Sequence, residues 1–235
     1  WGLVVVLLGV HGLTGLMEWS RGYESLFDAL VMDRSMRMRV AVGGQLDLNI
    51  TQGELFRFVS STVLHGDMLH VLVNVLALFG LGRIVEPLIG GRRFFTVFSL
   101  GAVGASIGSY FSGVLQSDGA SAGAFALLGL AVLIGLRYRH EWDEESRRIM
   151  GPILQIFVGL NLVLSLVLAF VDGLGHVYGL MLGLAMGPWM MRPAGALRRG
   201  FEWFWLVFYA AVLWFGVLWV GLGWTAQSWS EFWMG

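Results

Sequence analysis

The sequence predicts an all-α protein, a polytopic transmembrane helix bundle. Three observations predict it: the composition, the length of the apolar stretches and their even spacing. Of 235 residues, 57% are hydrophobic and 13% charged, with a mean hydropathy of +0.72. No water-soluble domain hides that much apolar surface in one core, so the bilayer is the solvent. The even spacing leaves no room for a second domain. Fifteen basic residues, all Arg, nearly balance sixteen acidic ones. Such a chain is a poor partner for nucleic acid, whose binders concentrate positive charge on one face. Cysteine is absent, which excludes a disulfide framework, a thiol nucleophile and a Cys-based metal site.

Stretches of roughly 17 to 25 apolar residues predict seven spans, near 1–17, 58–80, 94–115, 120–137, 151–171, 174–191 and 203–223. The chain opens on Trp1 without an initiating Met, so a short leading segment is expected to precede it. Val4 to Val10 run on into Gly12, Leu13 and Leu16 with no small-residue cleavage site before Glu18, which favours a retained span over a signal peptide. The connection over 18–57 is long and amphipathic, with Asp28, Asp33, Asp47, Glu54, Arg34, Arg37 and Arg39, and is expected to lie at the interface. The seventh stretch holds Trp203, Trp205, Trp214 and Trp219, which either pack on the core or face lipid. Trp224, Trp229 and Trp233 after it read as interface anchors.

Orientation follows from the arginines, because cytoplasmic loops collect Arg and Lys. Arg83, Arg92, Arg93, Arg137, Arg139, Arg147, Arg148, Arg192, Arg198 and Arg199 put ten of the fifteen on one side. That side is assigned to the cytoplasm, together with the N-terminus. The outer side receives the long first connection, the turns near 116–119 and 172–173 with Asp118 and Asp172, and the C-terminus.

A polar group within a span is costly unless it is paired or lines a wet cavity. The second stretch carries His65, His70 and Asn74, the fourth begins with Ser121 and the sixth begins with His176, all toward the outer side. His70 and Asn74 are four residues apart on one helical face and can present two donors to one point, as an oxyanion requires. Either could equally bond a neighbouring helix. Ser121 lies in the small-residue run Gly119-Ala120-Ser121-Ala122-Gly123-Ala124 at the first turn of a span, where unpaired amides and the helix dipole would stabilise an oxyanion. An isolated serine there also reads as an N-cap or a packing residue. His176 precedes Gly179, Gly183 and Gly187, a bare stripe that admits another helix closely. The third stretch has its own ridge in Gly101, Ala105, Gly108 and Ser112. Together the residues supply a nucleophile, a base and oxyanion donors. Asp172, four residues before His176, is expected at the outer edge in water, which favours a Ser-His dyad over a triad.

Over residues 55–190 the sequence resembles the rhomboid family of intramembrane serine proteases. Phe56-Arg57 stands where the family has Trp-Arg, His65 to Asn74 reproduces its pattern of two His and an Asn, and Glu86 follows at the expected distance. Gly119-Ala120-Ser121, with Ala124, Phe125 and Leu127-Leu128-Gly129, resembles the serine motif, and His176 with Gly179 and Gly183 resembles the sixth-helix motif. Each is weak singly; four in family order are specific.

The resemblance implies a six-helix core over 1–200 and an additional C-terminal transmembrane helix and tail over 201–235. It implies Ser121 as nucleophile, His176 as base, and Ser121 N–H, His70 and Asn74 as oxyanion donors, with no metal or cofactor. Transmembrane protein substrates are expected to enter laterally from the lipid bilayer. The protein is expected to be multi-pass in the cell inner membrane, with its site toward the non-cytoplasmic side. The family usually has Gly after the nucleophile, so the Ala122 methyl is expected to crowd the oxyanion. Phe56, Gly175 and Tyr178 are milder departures. Two other classes compete: an inactive rhomboid-like protein that binds transmembrane helices, against which the retained Ser121, His176, His70 and Asn74 count, and a small channel or transporter, against which their common depth counts. The oligomeric state is not fixed, since packing within one chain accounts for the small-residue ridges.

Overall fold

The structure is a computed structural model that describes residues 1–20, 25–32, 36–168, 171–193 and 195–221. From the N-terminus run α1 (Gly2–Ser20), α2 (Leu26–Val31), α3 (Met36–Ala41), strand β1 (Gln45–Leu46), α4 (Asp47–Thr51) and α5 (Arg57–Ser60), which passes into a 3₁₀ turn at Ser61–Val63. Next come α6 (Met68–Ile89), α7 (Gly91–Phe111), β2 (Gln116–Ser117), α8 (Ser121–Arg137) and α9 (Glu144–Arg148). A π-helical turn at Ile149–Ile153 leads to α10 (Leu154–Val167), α11 (Gly173–Met190) and α12 (Ala196–Gly221). Among the described residues, five helices are long and apolar enough to cross a membrane: α1, α6, α7, the run from α9 through α10, and α12. The shorter apolar α8 and the glycine-rich α11 give each of the seven predicted stretches a helix.

Two boundaries differ from those read in the sequence. The second span starts at Met68, not near 58, because Asp67 adopts an extended conformation and its carboxylate accepts the His70 N–H at 2.7 Å, capping α6 there. His65 therefore precedes the helix and does not belong to it. The fifth span starts at Glu144, capped by Asp143, and bends at Gly151 and Pro152, where the backbone leaves helical geometry.

α8 is the central helix, and small residues set how closely its neighbours approach. A side chain on Gly179 or Gly183 of α11 would strike the Ala122 or Ala126 carbonyl of α8, and one on Gly129 of α8 would strike the Leu180 carbonyl of α11. On the other flank, Gly101 of α7 lies against the Ala126 methyl, and Gly123 of α8 against the Phe98 ring. The glycines after His176 and Gly101 of the third-span ridge thus both pack against α8, and α8 and α11 are held backbone to backbone.

The first connection meets the segment between α7 and α8. β1 pairs antiparallel with β2, Gln45 opposite Ser117 and Leu46 opposite Gln116. Behind the pair, Ser106 Oγ donates to Gln45 Oε1, and Gln45 Nε2 donates to the Ser106 carbonyl at 3.3 Å. Arg57, only 1% exposed, donates to the Val40 carbonyl at 2.5 Å, the Gly44 carbonyl at 2.8 Å and the Glu54 carboxylate at 2.5 Å. A buried guanidinium satisfied in this way fixes the loop's path. Asp33 and Arg34 lie outside the described residues.

α12 packs along α7 and α5. At its start Glu202, 2% exposed, lies 3.5 Å from Arg93 of α7 and 3.4 Å from Arg198. Farther along, Trp205 Nε1 donates to Ser99 Oγ at 2.8 Å and Tyr209 meets Thr62 at 2.6 Å, while Phe56 packs between Phe215 and Trp219. Of the four tryptophans, Trp205 and Trp219 pack inward, whereas Trp203 and Trp214 are exposed on the bundle's outer surface. Trp224, Trp229 and Trp233 lie outside the described residues.

Candidate active site

The loop between α7 and α8 delivers Ser121 under constraint from both sides. Asp118 is partly buried; its carboxylate accepts the Gln45 N–H at 3.0 Å and the Gln116 Nε2 amide at 2.8 Å, which ties the loop to β1. Burial raises the Asp118 pKa above its ordinary value. The two hydrogen bonds and the Arg39 and Arg57 charges act in the opposite direction. Gly119 follows at φ +118°, a conformation that side-chain-bearing residues rarely adopt. A Cβ there would also sit 2.8 Å from the His70 ring, so this position needs glycine for space as well as for conformation.

The amides on either side of that turn are both held. Gly119 N–H donates to the Ser61 carbonyl at 2.9 Å, and Ala120 N–H donates to His65 Nε2 at 3.3 Å. The second bond requires an unprotonated Nε2 on His65 and so places the proton of the neutral ring on Nδ1. The His65 and His70 rings meet edge to face at 4.9 Å. Ser121 then opens α8, where first-turn amides have no acceptor within the helix.

His176 arrives from the first turn of α11. Asp172 caps that helix, its carboxylate accepting the Gly175 N–H at 2.7 Å and the Ser117 hydroxyl at 2.6 Å. The imidazole stacks on Phe125 of α8, with centroids 4.3 Å apart and planes 16° apart. Its Nε2 lies 2.7 Å from Ser121 Oγ. That is proton-transfer distance between a hydroxyl and a ring nitrogen. The other ring nitrogen, Nδ1, is buried without a hydrogen-bond partner among the described residues, so neither Asp172 nor any other carboxylate described engages it.

The remaining candidates line the same end of the bundle. His70 lies against Gly119, two residues before Ser121, and Asn74 follows one turn later on α6, buried. One Asn74 Nδ2 hydrogen is committed to the His70 carbonyl at 3.0 Å. Ser121, His176, His70 and the loop that holds them thus gather at the helix ends opposite those bearing the arginine-rich connections.

One sequence departure, Tyr178, receives a structural account, whereas no contact among the described residues explains the Ala122 methyl. The Tyr178 ring lies over Gly108, where a Cβ would come within 2.8 Å of it, and its hydroxyl meets Ser112 Oγ at 2.6 Å, so the extra bulk on α11 is matched by missing bulk on α7. Ala122 contributes its backbone to the contact with Gly179. Two contributions to the site had escaped the sequence reading: His65 as the acceptor for the amide before Ser121, and Ser61 as the acceptor for Gly119. The signal for the first lies in the sequence, since Gly66 and the capping Asp67 separate His65 from the helix.

Residues 52–193 match the family model described as the Rhomboid domain. The chain is 31% identical over 144 residues to "Rhomboid protease GluP" of Bacillus subtilis, covering 61% of this chain and 28% of that protein. It is 30% identical over 160 residues to "Rhomboid-type serine protease 2" of Emericella nidulans, covering 66% of this chain and 31% of that protein. To "Rhomboid protease GlpG" of Yersinia pestis it is 31% identical over 141 residues, 59% of this chain and 49% of that protein. The chain thus spans half or less of the length of these relatives.

Proposed function

The chain belongs to the rhomboid family, and from that premise we propose that it is an intramembrane serine endopeptidase cutting transmembrane segments through a dyad of Ser121 and His176. The observation that carries this reading is the 2.7 Å contact between Ser121 Oγ and His176 Nε2. The names of these relatives, each a rhomboid protease, support the reaction class.

In this mechanism His176 Nε2 takes the Ser121 proton as Oγ attacks the scissile carbonyl carbon. The carbonyl electrons move to oxygen, and the oxyanion forms beside the first turn of α8, where the Ser121 N–H and the positive end of the helix dipole stabilise it. His70 and Asn74 supply further donors from α6. Collapse of the intermediate breaks the C–N bond, and His176 returns its proton to the leaving amine. Water then enters, gives a proton to His176 and attacks the acyl ester, releasing the carboxylate product and restoring the Ser121 hydroxyl. With no carboxylate bonded to it among the described residues, the His176 ring is oriented by its stack on Phe125 and its place on the first turn of α11. The chemistry is proton transfer and acyl transfer throughout and calls for no cofactor.

The substrates are transmembrane helices whose scissile segment can unwind, because a bond locked in a helix cannot reach the serine in extended form. The sidedness follows the arginine count: the site opens to the non-cytoplasmic face of the inner membrane. The catalytic core runs from α1 through α11 and α12 is an added helix, so the boundary expected near residue 200 moves back to the start of α12 at Ala196. Labelling of the purified protein in detergent with a fluorophosphonate, read by intact mass, tests the reading. One adduct, lost in Ser121→Ala and in His176→Ala, is the expected result. No adduct on folded protein would overturn it and favour the alternative of a helix-binding rhomboid-like protein that does not cut.

A further inference from the structure

The inner face of α12 touches the segment that holds the two amides before Ser121. Tyr209, 3% exposed, places its hydroxyl 2.6 Å from Thr62 Oγ1. Thr62 Oγ1 also donates to the Val59 carbonyl at 2.6 Å. A threonine hydroxyl has one proton, so with that proton given to Val59 the Tyr209 hydroxyl is the donor of the pair.

Thr62 is the middle residue of the turn Ser61–Val63. On one side of it the Ser61 carbonyl accepts the Gly119 N–H, and three residues on His65 Nε2 accepts the Ala120 N–H. The left-handed Gly119 and the amide after it are therefore fixed from a single short segment, and α12 grips that segment at its centre. Ser60 Oγ anchors the same segment to the Gly43 carbonyl at 2.6 Å. Tyr209 is itself immobilised by an edge contact with Phe95 at 5.4 Å, with the Trp205 to Ser99 bond one turn before it.

We infer that Tyr209, acting through Thr62, is a positioning residue for the Ser121 nucleophile, so that α12 is part of the apparatus that aims the catalytic serine and not merely an added membrane anchor. The inference rests on the assignment of Ser121 as nucleophile. A small shift of the turn at Ser61 would move Gly119 and Ala120, and with them the direction of Ser121 Oγ relative to His176. Misalignment of reacting atoms by fractions of an ångström slows a reaction without altering how its reagent binds.

The test uses the full chain in detergent and measures fluorophosphonate adduct formation at Ser121 over a range of probe concentrations, which separates the maximal inactivation rate from the probe's apparent affinity. Tyr209→Phe and Thr62→Val should each lower the maximal rate by about tenfold with affinity unchanged, as expected for loss of one buried hydrogen bond. Thr62→Ser, which keeps the hydroxyl, should restore the rate, and the double variant Tyr209→Phe with Thr62→Val should be no slower than either single one. The thermal midpoint of each variant is read alongside. Unchanged rates in folded Tyr209→Phe, or a Thr62→Ser variant as slow as Thr62→Val, would overturn the inference while leaving the serine reading intact. A wild-type protein that takes no adduct would overturn both.

Discussion

The Asp172 carboxylate accepts the Ser117 hydroxyl at 2.6 Å and the Gly175 amide at 2.7 Å, so both of its oxygens are engaged away from the His176 ring four residues later. One bond caps α11 and the other ties that cap to β2, three residues from the end of the Ser121 loop. The Asp172 carboxylate thus helps fix where His176 stands without bonding its ring, while the Asp172 carbonyl accepts the His176 N–H at 3.2 Å. Asp172→Asn keeps one carbonyl oxygen for the cap and should leave fluorophosphonate labelling within a few-fold of wild type. Asp172→Ala should cost about 0.5–2 kcal/mol of stability through the lost cap. In a triad, replacing the aspartate by its amide lowers kcat by about 10⁴. A loss of that size in Asp172→Asn would make Asp172 a third member after all.

Ser121→Ala and His176→Ala remove reacting groups and should each abolish cleavage and labelling while circular dichroism and thermal midpoint stay near wild type. Asn74→Ala should be milder, losing about 2.7–4 kcal/mol of transition-state stabilisation if Asn74 acts as a single oxyanion donor. Because one Asn74 amide hydrogen is committed to the His70 carbonyl, its loss leaves that helical turn to the backbone alone. A variant that fails to fold would assign Asn74 to the bundle's structure and remove it from the oxyanion set.

The seven helices were legible because hydrocarbon thickness sets a length that sequence displays directly, and Ser121 and His176 stood out because the stretches around them are nearly devoid of polar groups. The start of α6 was not legible. Phe58, Val59, Val63 and Leu64 are as apolar as a span, and only the cap at Asp67 separates them from one. The remaining misses are tertiary: the Arg57 hub gives Nη1 to two backbone carbonyls, which carry no residue signature, and Tyr209 finds Thr62 across 147 positions. Glu202 is the single carboxylate of α12, one residue before the seventh apolar stretch, and one of its partners, Arg93, is on α7. No periodicity announces such a pair.

Gly183→Ala tests whether backbone contact between α8 and α11 sets the distance from serine to histidine. The added methyl would meet the Ala126 carbonyl, which is backbone and cannot turn aside. The helices must part or the substitution must unfold the protein, at a cost of about 1–3 kcal/mol or more. Labelling and thermal midpoint should therefore fall together. Gly159→Ala, with nothing within 4 Å of its added carbon, should change neither. Equal behaviour of the two variants would show that the glycine contact is not what holds α8 against α11.

Asp118 gives the fold a pH dependence whose sign is fixed by burial. Its folded pKa is raised above 3.8, so the folded state holds the proton more tightly than the unfolded chain does. The stability this contributes is fully present below the unfolded value and is lost as pH rises through the folded one. Asp118→Asn keeps the Oδ1 acceptor for the Gln45 amide and cannot titrate. The Gln116 side chain can rotate its amide to meet the new donor. Measured against this variant, the wild-type thermal midpoint should rise as pH is lowered from neutrality toward 3.8. Comparing the two chains at each pH cancels the other carboxylates. A difference that stays flat, or grows in favour of wild type as pH rises, would mean that the hydrogen bonds and the Arg39 and Arg57 charges outweigh burial, and that the loop before Ser121 is clamped by a charged Asp118.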